Sequence, residues 1–134
     1  MIKSIMNSNI YEPSGTVLIV GSCLPQMQPN GFAQLAAKAD AVYALCLEET
    51  HINMAVTKIA AALSTGKISK LMFASVDRSP HCTQMHYIKH EILRMMPLSL
   101  PIEDYVVVDE QPIFISDETI ELSKTLRKLA TMNK

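Results

Sequence analysis

"KLMFASVDRSP", Lys70 to Pro80, decides the fold. Lys70–Val76 is a short apolar run, the pattern of a strand buried on both faces. Asp77 and Arg78 make a polar turn. Ser79 stands where a helix N-cap belongs, and Pro80 takes the first helical position, where its missing N–H costs nothing. A strand that feeds a capped helix within four residues is half of a strand–helix–strand unit.

Two similar runs precede it, Thr16–Ser22 ("TVLIVGS") and Ala41–Leu47 ("AVYALCL"). After the first comes a turn-rich loop, "CLPQMQPNG", and then Phe32, Leu35, Ala36 and Ala39 at helical spacing. After the second, Thr50 is a candidate cap. Ile52, Val56, Ile59, Ala60 and Leu63 follow as one apolar face, with Gly66 as the stop. The helix from Pro80 is predicted to run to about Met96 on a stripe of Met85, Ile88, Ile92 and Met96. Asp104–Asp109 ("DYVVVD") reads as a fourth strand and Ile113–Ile115 as an edge strand, since Pro112 cannot serve a central ladder. Ser116 caps a last helix with acids early and bases late, and a buried stripe of Leu122, Leu126, Leu129 and Ala130. The reading is an N-terminal arm, residues 1–14, and one α/β domain, residues 15–134. Its architecture is a small three-layer sandwich, Rossmann-like or flavodoxin-like, on a mostly parallel sheet of four to five strands.

A chain of 134 residues suits one domain that folds without metal or disulfide. A formal net charge of −1 creates no field for nucleic acid or anionic lipid. No apolar stretch approaches the ~20 residues of a membrane span, and the N-terminus is too polar for a secretory signal. These observations predict a soluble cytoplasmic protein that binds neither nucleic acid nor membrane. Three cysteines, an odd number lying far apart, are not a disulfide framework.

Open α/β sheets bind ligands beyond the carboxyl ends of their strands, at the switch point in strand order. Three loops form that rim here: Gly21–Gly31, Glu48–Asn53 and Asp77–Pro80. Cys23, Cys46 and Cys82 each lie on or beside it, as do His51, His81 and His86. With Ser79 as N-cap, Cys82 is the third helical residue, where free amides and the dipole favour a thiolate. Cys82 and His86, at i and i+4, share a helix face and are placed to hold one metal ion or to share a proton. Asp77, Arg78 and Ser79 join Cys23 and His51 as candidate ligand-binding residues. Ordinary packing is the competing reading for each of these residues.

The first loop lacks the G-x-G-x-x-G spacing of a dinucleotide site, and no P-loop appears. There is no G-x-S-x-G elbow and no C-x-x-C dithiol.

The run Lys58–Tyr87, and above all "PHCTQMHY" (Pro80–Tyr87), resembles the delta subunit of methyl-viologen-reducing hydrogenase. That family comprises small α/β proteins with an iron–sulfur cluster on cysteines from successive strand ends, passing electrons between a hydrogenase and a disulfide reductase. The resemblance implies that Cys23 and Cys46 match cluster cysteines, and that His81, His86 and Tyr87 match the third loop. It departs at Gln26, where a second cysteine would stand, and at Met85, where the family has the cysteine before His-Tyr.

Three functions follow as expectations. One is a redox or metal-binding accessory protein, linked to electron transfer through a redox partner. In it Cys23, Cys46, Cys82 and His86 hold an iron–sulfur cluster or zinc. Another is a thiol-dependent or small-molecule-binding enzyme, with Cys82 as nucleophile and His81 or His86 as base. The third is a non-catalytic interaction module, in which the apolar content and the edge strand favour a homodimer.

Overall fold

The computed structural model describes residues 2–132. Five strands form one sheet: β1 (Gly15–Gly21), β2 (Ala41–Leu45), β3 (Ile68–Val76), β4 (Ile102–Val108) and β5 (Gln111–Ile115), in the order β2-β1-β3-β4-β5. The first three pairings are parallel, and β5 returns antiparallel along β4. The α/β sandwich expected from the sequence is the fold observed. Its strand order is the 2-1-3-4-5 type of a doubly wound sheet.

β1 and β3 are central, and their side chains are buried on both faces, which is why both read as unbroken apolar runs. One face carries Val17, Ile19, Tyr43, Leu45, Leu71 and Phe73 under α3 (Ile52–Ser64) and α5 (Ile88–Met95). The other carries Leu18, Val20, Met72, Ala74 and Val76 beside Leu24 and Leu35 of α1 (Leu24–Met27) and α2 (Pro29–Ala36). The proline-marked segment read as a loop is therefore largely helical, because Pro25 and Pro29 sit in first turns, where proline is tolerated. Gly31 abuts Val107 Cγ1 and the backbone of Glu110, leaving no room for a Cβ. Asp109 and Glu110 take positive φ at the β4–β5 turn, and Glu110 N–H donates to Gln28 Oε1 at 2.7 Å.

Four local readings change. The 1–14 arm is not a loose tail. Ile5 is buried in the core, a short 3₁₀ turn spans Ile5–Asn7, and Ala44 N–H donates to Lys3 O at 2.9 Å. The cap of α3 is His51, not Thr50: His51 Nδ1 accepts from Asn53 N. The helix after Ser79 is interrupted, as α4 (Pro80–Gln84), a 3₁₀ turn (Met85–Tyr87) and α5, with both Met85 and His86 buried. The last helix divides into α6 (Asp117–Ser123) and α7 (Leu126–Met132). Ile120 is its buried residue, whereas Leu126 is 82% exposed and Leu129 and Ala130 are exposed as well. The broken helix cannot present a single stripe to the sheet.

Among the described residues no helix is long and apolar enough to cross a membrane.

Candidate functional site

The strand order makes the loops after β2, β1 and β3 neighbours. A cleft of about 70 Å³ opens between them at the β1/β3 switch point. All three cysteines line it, together with Glu48, Ser79 and His81. Each arrives from a different strand end: Cys23 after β1, Cys46 after β2, Cys82 in α4 after β3. Cys23 is exposed, Cys46 and Cys82 are half-buried, and all three are free thiols. The space holds no more than a few waters or a small group.

Local sequence explains the placement of Cys82. Ser79 leaves β3's turn in extended geometry, and its Oγ accepts from Cys82 N at 3.4 Å. That cap takes up the amide an anion would need, and α4 has only five residues over which to build a dipole. The Cys82 thiol then lies against the backbone of β1. A Cβ at Gly21 would fall 2.6 Å from Cys82 Sγ, so glycine there makes room for the sulfur. His81 Nδ1 lies 3.2 Å from Glu48 Oε1 on the cleft wall, in an exposed pair that contributes little to stability.

His86 is not part of this cleft, which corrects its assignment as metal ligand and as base for Cys82. Its ring is drawn under the 3₁₀ turn, where Nε2 lies 2.7 Å from Ser75 Oγ and Nδ1 lies 2.8 Å from Asp104 Oδ1. Both nitrogens are committed, Nδ1 to Asp104 and Nε2 to Ser75, and neither is free for a metal. Among the described residues no group of three His, Cys, Asp or Glu side chains converges to hold a metal ion. The proposed set of Cys23, Cys46, Cys82 and His86 therefore does not fit an iron–sulfur cluster or zinc in this arrangement. His51 is exposed, caps α3 and does not line the cleft. Asp77 lines a different cleft, beside α6, and exposed Arg78, at φ 66°, lines neither.

A Rossmann-like domain family matches residues 13–134, nearly the whole chain. The chain belongs to this family. The match supports the Rossmann-like fold expected from the alternation of strands and helices, and it does not name the hydrogenase subunit. Comparison with curated proteins and with solved structures finds no match.

Ser75 and Asp104 were not among the candidate residues of this Rossmann-like domain. Ser75 follows Leu71 and Phe73 on one face of β3, and Asp104 pairs with Phe73 across the β3–β4 ladder. A serine and a carboxylate at inward positions of two core strands are the sequence signal, since such groups stay buried only with partners. All three members of the triad are nearly sealed, with Ser75 at 2%, His86 at 3% and Asp104 at 1% exposure.

Proposed function

We propose that this Rossmann-like domain is a redox accessory protein acting through the thiols of its strand rim. One observation carries the reading: Cys23, Cys46 and Cys82, scattered through the chain, line one small cleft at the switch point of the sheet. Thiol–disulfide exchange matches a cleft of this size, because the reacting atoms belong to the chain and to a docked partner. In the step proposed, two rim thiols become one disulfide and release two protons. The two electrons reduce a partner's disulfide to two thiols. His81, on the cleft wall, is placed to accept a proton from an attacking thiol. The hydrogenase-subunit resemblance supports an electron-handling role but not its cluster, and no step here passes through metal.

The test is equilibration in glutathione buffers of graded potential, acid quenching, alkylation and peptide mass spectrometry. The expected result is one intrachain disulfide per molecule, formed in a two-electron transition and lost in Cys82→Ser. Three thiols that stay alkylatable in every buffer, or oxidation only between chains, would overturn the proposal.

A further inference from the structure

A second site lies under the 3₁₀ turn and does not depend on the rim thiols. A cleft of about 200 Å³ runs between β3, β4 and α6, and Ser75 and His86 line it. Val106, Ile115 and Ile120 make its apolar walls, and Thr119 stands at its edge. Burying three polar side chains here is costly, and aliphatic residues of similar volume would fill the space at less expense. The network is also not closed as a purely structural one would be. Asp104 Oδ2 is buried with no hydrogen-bond donor among the described residues, and the Lys89 ammonium stands 3.8 Å away while donating instead to Asp117 at 2.6 Å.

The relay has one direction when Asp104 is a carboxylate and His86 a neutral imidazole. The Asp104 carboxylate only accepts, so His86 Nδ1 carries the proton between them. In a neutral imidazole that leaves Nε2 as an acceptor, and the Ser75 hydroxyl must donate to it. A serine hydroxyl aimed at an imidazole whose far nitrogen is held by a carboxylate is the arrangement that activates an oxygen nucleophile.

We infer that Ser75, His86 and Asp104 form an acyl-transfer site for small esters held in the α6 cleft. Ser75 Oγ bonds to the ester carbonyl carbon as His86 Nε2 takes the hydroxyl proton. The ester C–O bond then breaks, and the proton passes to the departing alcohol. Water, deprotonated by the same nitrogen, cleaves the acyl-serine, releases the acid and restores the hydroxyl. Asp104 acts as a positioning residue, fixing the tautomer. The cleft volume limits the acyl group to a few carbons. α6 contributes one buried side chain, Ile120, and is otherwise held by the exposed contacts of Asp117 to Lys89 and Glu121 to His90, so entry requires this wall to part.

The full chain is treated with a fluorophosphonate, which marks activated serines and leaves thiols unmarked, and the adduct is mapped by peptide mass spectrometry. Release of p-nitrophenol from p-nitrophenyl acetate is followed in parallel in Cys82→Ser, which removes a competing thiol. The expected result is one adduct, on Ser75, lost in Ser75→Ala and slowed more than ~100-fold in His86→Gln. Ser75→Cys guards against a folding failure: it should react with iodoacetamide faster than the same variant carrying His86→Gln. An unlabelled Ser75 in the parent chain at saturating probe overturns the inference. So does labelling that is unchanged in a His86→Gln protein with native circular dichroism.

Discussion

His86→Ala should be among the most destabilising single substitutions in this protein. The imidazole is 3% exposed and holds the side chains of two strands, through contacts of 2.7 Å to Ser75 and 2.8 Å to Asp104. Its removal leaves the Asp104 carboxylate 1% exposed with no hydrogen bond on either oxygen. Only the Lys89 ammonium, 3.8 Å distant, remains to balance it. Stranding one member of a buried charged network costs about 3–5 kcal/mol. Native domains have ~5–15 kcal/mol in all, so at least about a fifth of the stability is at stake. For a chain of this length the melting temperature should fall by roughly 10–20 °C. The His86→Ala/Asp104→Ala double variant should cost clearly less than the sum of the singles, by about 1–3 kcal/mol, because it removes the stranded charge as well. Urea unfolding followed by circular dichroism measures all three differences. A His86→Ala variant within about 1 kcal/mol of the parent, or strict additivity in the cycle, would refute the reasoning.

Gly21→Ala places a Cβ 2.6 Å from Cys82 Sγ, so the thiol must rotate. Its alkylation rate should shift several-fold while those of Cys23 and Cys46 hold, and equal rates at Cys82 in parent and variant would contradict that packing. Ile5→Ala, at a position 1% exposed in the N-terminal segment, should cost about 2–5 kcal/mol in the same urea assay, and a negligible loss would mean the segment is not core. Burial first, then hydrogen bonds to Glu12 and Glu103 and the charge of those carboxylates, push Tyr43 and Tyr105 up to about 12. Their contribution to stability is complete below the unfolded tyrosine value near 10 and is lost as pH rises through about 12. An absorbance titration at alkaline pH should resolve two late-ionising tyrosines, with Tyr43 moving earlier in Glu12→Gln. All four tyrosines titrating together near 10 would be the contrary result.

The strands were legible because β1 and β3 are buried on both faces, and that leaves an unbroken apolar run in the sequence. The caps at Ser79 and Ser116 were legible because each is a hydroxyl placed before a helix, and both do accept a first-turn amide. His86 was misread because helical spacing pairs it with Cys82, whereas the 3₁₀ turn rotates it inward to partners 11 and 18 residues away. Periodicity carries no information about such a rotation. The core role of Ile5 was hidden for a similar reason: one apolar residue in a polar segment has no period, and its burial depends on how the segment lies on the folded sheet. The rim thiols were found from topology, since only the order of strands decides that three distant loops meet.

The segment before β1 also has a colloidal consequence. A terminal strand exposes unpaired amides and carbonyls that invite another chain to add on. Here Ser4 bridges Ala44, and Lys3 O takes the Ala44 amide, so residues 3 and 4 shield the free margin of β2. At the opposite margin, Pro112 in β5 has no N–H to offer an incoming strand. Proteolytic trimming of the first dozen residues should therefore do more than loosen the core. It should turn one side of the molecule adhesive, and light scattering that rises with protein concentration would report it.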